Sequence, residues 1–398
     1  MTDRIAQLLW LGVVLALIAA TDVSAASEKV FSIGYLELES DQRYKDKRIE
    51  ARLQAQPWGR PFAGAEVALR DARFATAALG IRIELRRHTV ADDAALTAAL
   101  KTLRDEGVDL VLLDVPGAAV KALASATKGQ DVLLFNLSAP DDELRQKSCQ
   151  GNLLHVLPSH AMRMDALAQF LVSKKWRDVL VLQGPLEDDA ALGRAFDRAA
   201  KRFGLKVAER KPFTLGRDPR QRNQNNIALL TSGARHDVVV VLDSDGEFAR
   251  EVPYHTQLPR PVVGSAGLVA DGWSWAWDRH GAPQLNGRFQ KHAQRWMTQY
   301  DWAAWMATKA IAEALQRTES TEFGPLRDFI LGEQIVLDGF KGYPLSFRGW
   351  NRQLRQPVFL TTTNWVIERA PIEGFLHDQN NLDTLGFDAR ETECGIAP

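Results

Sequence analysis

Carboxylates, imidazoles and indoles are the side chains here whose types and spacing invite a chemical reading. The run VLDSDGE sets Asp243, Asp245 and Glu247 at the end of an intensely β-branched apolar segment. Such a cluster resembles part of a calcium loop, whose glycine stands sixth of twelve. Aligning Gly246 with that glycine puts Val241 first and Val252 twelfth, and neither side chain can ligate a cation. Acids at the carboxyl end of a central parallel strand do lie where open α/β sheets bind ligands. A cleft role therefore stands beside simple turn capping. His155 and His160 flank VLP without further ligands close by, so no metal site is expected. In DGWSWAWDRHG, Trp273, Trp275 and Trp277 alternate, a spacing that on its own reads as one face of a strand. Glycine-rich phosphate cradles, a GxSxG elbow, HExxH and CxxC are all absent. With no nucleophile–base arrangement either, the chain is expected not to be an enzyme and to need no cofactor.

These residues depend on a regular scaffold. VFSIGYLEL, IRIELRRHT, VDLVLLDV and DVLLFNLSAP read as strands, with amphipathic helical stretches between them. RDVLVLQG, LKVAERKPF, HDVVVVLDSDG and RPVVGSAG repeat the alternation after residue 160. Strand–helix alternation builds βαβ units, hence an α/β fold with parallel sheets covered on both faces. APDDELRQ, with Asp141, Asp142 and Glu143, is expected to open a helix whose dipole the acids complement. YDWAAWMATKAIAEALQRT reads as a long amphipathic helix, and LSFRGWNRQLRQPVFLTTTNWVIERA as a hairpin around Asn351–Gln356.

The N-terminal MTDRIAQLLWLGVVLALIAATDVSAAS has Arg4, an apolar run from Leu8 to Ala20, and small residues at Ser24, Ala25 and Ala26. It reads as a secretory signal peptide cut near Ala25 or Ala26, because the run is shorter than the ~20 residues of a membrane span. The mature chain is expected to be exported to the periplasm and not inserted in a membrane. With 49 basic and 50 acidic residues and no single-signed block, nucleic acid is not an expected partner. In an oxidising compartment the two cysteines, Cys149 and Cys394, are read as one disulfide, against the alternative of two separate buried thiols.

The ordered series resembles the type I periplasmic solute-binding proteins, in their leucine/isoleucine/valine-binding branch. QPWGRPFAGAEVALRDA is similar to that family's first loop and helix. GVDLVLLD and VLLFNLSAP are similar to its second-to-third strand region, and DWAAWMATKAIAEAL to its long hinge-proximal helix. The chain most resembles a sub-branch of ABC-transporter binding proteins associated with pyrroloquinoline-quinone (PQQ)-dependent alcohol dehydrogenase systems. The resemblance implies two doubly wound parallel-sheet lobes, joined by hinge strands, that close over a small-molecule ligand and dock on an ABC permease. The alternative it leaves is a ligand-sensing periplasmic subunit of such an alcohol oxidation system, without transport. The expected division is a signal peptide over 1–26, a first lobe over 27–152 and 282–345, a second lobe over 153–281 and 346–370 with the hinge crossings, and a wrapping tail over 371–398.

Matching the family's contact loops implies ligand contacts at Trp58, Gly59, Asp114 to Gly117, Asn136 and Ser138. In the second lobe the matches are Gln183, Asp243, Asp245 and Ser265. Departures from the pattern bear on the ligand. Amino-acid binders of the family hold the ligand carboxylate with a hydroxyl-rich loop after the third strand, where this chain has Asp114, Val115 and Pro116. The acid expected near Ser265 and Ala266 for the ligand ammonium is missing as well. The ligand is therefore expected not to be an ordinary α-amino acid, but neutral, aromatic or cationic. The insert ESDQRYKDKRIEARLQAQ is read as a solvated helix or flap. The family order turns the tryptophan stretch into a loop and a short helix stopped by Gly281. Trp273 then faces the ligand and Trp277 packs in the second lobe.

Overall fold

A computed structural model describes residues 28–44, 59–215 and 224–396. In the first lobe, β1 (Lys29–Leu38), β2 (Ile81–Val90), β3 (Leu110–Asp114), β4 (Leu133–Asn136) and β5 (Leu153–His155) form one sheet. Its order is β2-β1-β3-β4-β5, and every pairing is parallel. The unbroken apolar run of β3 is buried throughout, as a strand covered on both faces requires. Between the strands lie α1 (Phe62–Ala77), α2 (Asp93–Asp105) and α3 (Gly117–Ala126). Period-two alternation sends Leu36, Val111, Leu113 and Leu134 to the face covered by α2 and α3. Ile33, Tyr35, Leu112 and Phe135 go to the other.

The second lobe repeats the plan. After α4 (His160–Ser173), β6 (Asp178–Gln183), α5 (Glu187–Phe203), β7 (Lys206–Pro212), the short α6 (Ile227–Leu230), β8 (Val238–Leu242), the short α7 (Val252–His255) and β9 (Val262–Gly264) follow in turn. The parallel order is β7-β6-β8-β9. The four valines of β8 split two and two between the cores on either face.

The chain then returns through β10 (Val269–Asp271) to α8 (Ala282–Ala293), α9 (Gln299–Thr318) and α10 (Phe323–Leu331), which complete the first lobe. Helix α9 is started by a reciprocal cap between Thr298 and Asp301. It lies so close to α1 that a side chain at Gly64 would collide with the Asp301 backbone. A small antiparallel sheet of β11 (Leu337–Asp338), β12 (Pro344–Phe347) and β13 (Leu354–Arg355) precedes β14 (Val358–Thr361), which pairs with β10, and β15 (Val366–Ala370), which pairs with β14. Strand β14 serves both lobes: Val358 and Leu360 enter the second core, and Phe359 the first. The stretch expected as one hairpin around Asn351–Gln356 makes two: β12 pairs with β13, Ser346 opposite Arg355 and Phe347 opposite Leu354, and β14 with β15, so the expected turn itself contains β13.

The structure corrects four further local expectations. Residues 142–145 make only one 3-10 turn, and Asp142 instead caps α4 by accepting from Ala161 N at 3.0 Å. β5 belongs to the first sheet, so the first crossing falls after His155 and not at residue 153. No helix forms over the tryptophan stretch; Gly281 does not stop one but starts α8, with a left-handed φ of 81°. Trp277 packs on Phe359 at 4.8 Å, in the first lobe's buried cluster and not the second's.

The tail past Ala370 runs over the second lobe. Gly386 N donates to Asp165 at 2.8 Å, and Arg198 and Arg202 reach the Gly386 carbonyl. It ends at a Cys149–Cys394 disulfide with a Cα–Cα distance of 5.6 Å. The tail that packs on the second lobe is thus tied covalently to the first. Among the described residues, no helix is long and apolar enough to cross a membrane.

Candidate functional site

Both sheets present strand ends at residues singled out from the sequence. In the first lobe, Asp114 closes β3 with its carboxylate completely buried. Tyr44 Oη donates to it at 2.8 Å, Arg43 Nη2 at 3.2 Å and Tyr35 Oη at 3.5 Å. The chain leaves β1 at Leu38, turns at Asp41, and folds Gln42–Tyr44 into a single 3-10 turn. Asp41 accepts from the backbone N of Arg43 at 2.9 Å, which sets that turn and aims the guanidinium across the sheet. Arg43 also binds the Asp41 carboxylate and donates to Ser138 O at 3.2 Å, with the rings of Tyr44 and Tyr300 beside it. At the start of the insert Glu39, Ser40 and Gln42 are exposed, while Asp41, Arg43 and Tyr44 turn towards Asp114; residues 45–58, with Trp58, lie outside the described residues.

Burial is the largest influence on Asp114 and pushes its carboxyl up, against the pull of Arg43 and Tyr44. Burial opposes ionisation of Asp41 too, but its bonds to Arg43 prevail and hold it below the ordinary range. Tyr44 is held well above its usual value by burial and by Asp114. This sequence signal lay at the foot of the insert, in Asp41 and Arg43, where mixed charge reads as an exposed face.

The neighbouring predicted residues are engaged elsewhere. Asn136 spans its own turn, accepting from Ser138 N and Ala139 N and donating to Ala139 O. Ser138 supplies its carbonyl to Arg43. Gly117 opens α3 directly under the Asp141 carboxylate, which a side chain there would strike. Gly59 lies against Arg295, whose guanidinium pairs with buried Asp301 at 2.6 Å. Arg145, missed in the sequence, is fully enclosed and ties this rim to the hinge. It donates to Gln353 Oε1, to Ala139 O and Asp141 O, and to Leu157 O. Burial pushes it down to about 10.

In the second lobe the acids cap backbone. Asp243 accepts from Ala249 N at 2.8 Å and Asp245 N at 3.2 Å, while its own N donates to Ser265 Oγ at 2.9 Å. Asp189, absent from the sequence reading, accepts from Leu186 N at 2.9 Å and from Ser244 N and Oγ at 2.6 Å. Gln183 accepts from Arg210 on the neighbouring strand. The Asp245 carboxylate is half-buried and has no bonded partner among the described residues. Asp188, at the start of α5, is raised first by burial and next by Asp141 of the opposite lobe.

Trp273 is enclosed, not on a cleft wall. Its ring lies parallel to Trp302 at 6.0 Å and edge-on to Phe359 at 6.1 Å, and its Nε1 donates to Asn286 Oδ1 at 3.1 Å. Trp275, the half-buried member of the three, stacks on Trp296 at 4.7 Å. Among the described residues, no three His, Cys, Asp or Glu side chains come together as metal ligands.

Residues 54–250 match the model of the periplasmic binding protein family. A periplasmic ligand-binding protein of a branched-chain amino acid ABC transporter from Burkholderia xenovorans LB400 superposes with a TM-score of 0.68. It is 14% identical, and the match covers 92% of this chain and 99% of that one. The fold is that of the type I periplasmic binding proteins. A leucine-, isoleucine-, valine-, threonine- and alanine-binding protein from Brucella ovis, in its closed conformation, has the same architecture. Its TM-score is 0.66 at 16% identity, over 93% of this chain and 97% of that one. A solute-binding protein of an ABC transporter from R. palustris, in complex with benzoate, gives 0.65 at 10% identity, over 92% and 100%. No curated protein matches the chain in sequence. In open α/β sheets, ligands bind beyond the carboxyl ends of the strands.

Proposed function

We propose that this chain is the exported solute-binding component of an ABC importer, and that it captures a small ligand that is not an α-amino acid. The observation that carries the reading is the engagement of Asp114. A buried carboxylate already bonded to Arg43 and two tyrosines offers no grip for a ligand carboxylate. The N-terminus of α3, which would favour an anion, already lies under the Asp141 carboxylate. Leucine and benzoate both carry a carboxylate, and the Asp141, Asp188 and Asp245 rims repel one. The remaining acceptor groups suit a neutral or cationic ligand, with Asp245 as the contact offered by the second lobe. A ligand touching both lobes closes them by its differential contacts with the closed state.

Calorimetry with leucine, isoleucine and valine is expected to show no binding; micromolar affinity for any of them overturns the reading. Native mass spectrometry of protein taken from its source identifies what travels in the cleft. Export is tested by sequencing the mature N-terminus, expected near Ala25 or Ala26. The permease and the link to PQQ-dependent alcohol oxidation rest on resemblance, and co-purification from cells oxidising alcohol tests both.

A further inference from the structure

The surroundings of Arg43 have the composition of a receptor for a guanidinium. Nε and Nη2 face the Asp41 carboxylate, Nη2 also meets Asp114, and Nη1 meets the Ser138 carbonyl. The rings of Tyr44 and Tyr300 lie 5.2 and 5.7 Å from the guanidinium carbon. Planar forks, paired carboxylates and aromatic faces are what such a cation selects. The contact groups sit at the ends of β3 and β4, in the turn after β1 and at the start of α9, where this fold places ligands.

Arg43 reaches the site from the same turn that supplies Asp41 and Tyr44, whereas Asp114, Ser138 and Tyr300 come from other elements. Among the described residues, Arg43 is the cationic side chain bonded to Asp114; Arg87 pairs with Glu37, and Arg60 pairs with Glu37 at 3.6 Å while lying over the Tyr44 ring at 4.9 Å. Without Arg43, the fully buried Asp114 carboxylate would be left without a cation, a costly state. The side chain thus does for Asp114 what a bound ligand would.

We infer that Arg43 is a tethered occupant of a cation receptor in the first lobe, and that it sets specificity by denying the receptor to free alkylguanidinium ions. The inference rests on the proposed ligand-binding role of these strand ends. Its test reads cation binding directly, so it fails or holds separately from the amino-acid titrations.

The experiment uses the full mature chain with its disulfide intact. Methylguanidinium is titrated into wild type, Arg43→Ala, Arg43→Gln and the Arg43→Ala/Asp114→Asn double variant, with sodium chloride at equal ionic strength as control. Calorimetry and melting temperature are the readouts. Arg43→Ala is expected to bind methylguanidinium at least about tenfold more tightly than wild type, with a rise in melting temperature. Adding Asp114→Asn is expected to abolish the gain. Where Arg43→Ala does not fold alone, refolding with methylguanidinium must restore it. The inference is overturned by equal binding to wild type, by folded Arg43→Ala and Arg43→Gln that do not bind, by a gain that survives Asp114→Asn, or by failure of the refolding rescue.

Discussion

The two lobes share a topology but use the acids at their strand ends differently. In the first, Asp114 is held by side chains that reach it from the turn after β1, across 70 residues or more. In the second, Asp243 and Asp189 satisfy backbone N–H groups of the loops around them. A locally capped acid stabilises its own turn, whereas a long-range ion pair depends on two distant segments being in place together. The same residue type at equivalent ends of two parallel sheets is thus part of a binding surface in one and of a loop scaffold in the other.

Removing one partner tests the difference most severely. Asp114→Ala leaves the Tyr44 and Tyr35 hydroxyls without their buried acceptor and Arg43 with Asp41 as its remaining carboxylate, losses expected to sum to about 3–5 kcal/mol. Asp243→Ala forfeits a cap and is expected to cost about 1 kcal/mol. Equal losses in denaturant titrations would erase the contrast between the lobes. Trp273→Ala should cost a similar 3–5 kcal/mol, because the ring is stacked inside the first core. The half-exposed Trp275→Ala should cost much less. If Trp273→Ala instead weakened ligand binding at unchanged stability, the ring would belong to the cleft after all.

The connection between the lobes comes next in size. Replacing Cys149 and Cys394 together by serine removes a cross-link over 245 residues and is expected to lower stability by about 2–5 kcal/mol. The loss should appear as a lower denaturant midpoint, with the tail becoming sensitive to protease. A tail still protected after reduction would show that its bonds to Asp165, Arg198 and Arg202 suffice.

A smaller effect belongs to the crossing between β5 and α4. Burial and the nearby Arg163, Arg145 and Arg194 push His160 down to about 3, and burial with Arg145 drives His155 well below its usual value. A base whose folded pKa is depressed binds its proton more readily unfolded. Its contribution is therefore fully present above the unfolded value of 6.5 and is lost as pH falls towards 3. Melting temperature should decline across that window, and His160→Gln should flatten the decline. An unchanged profile would mean that the carboxylates alone govern acid lability.

Much of the scaffold was legible because strand and helix periodicities are local. The β-branched run of β8, the apolar run of β3 and the Thr298–Asp301 start of α9 each announce their element within a few residues. The α/β class and the two series followed from their alternation. The site was less legible. Alternation made a stripe of Trp273, Trp275 and Trp277, yet Gly272 to Gly281 is a loop whose indoles are sorted by what packs on them. Mixed charge around Asp41 and Arg43 read as solvated because composition does not show that a turn can carry one arginine under a sheet edge.

The sequence by itself determined the repeated α/β plan, the lack of familiar catalytic motifs and the cysteine pair available for bridging, all of which follow from residue type and short-range order. Tertiary structure alone decided that Asp114 meets Arg43 and that Asp243 meets backbone. It also decided that Trp273 lies in a core shared with the hinge. Those outcomes turn on which groups burial brings together, and desolvation makes each buried charge or indole N–H depend on a partner far away in the chain.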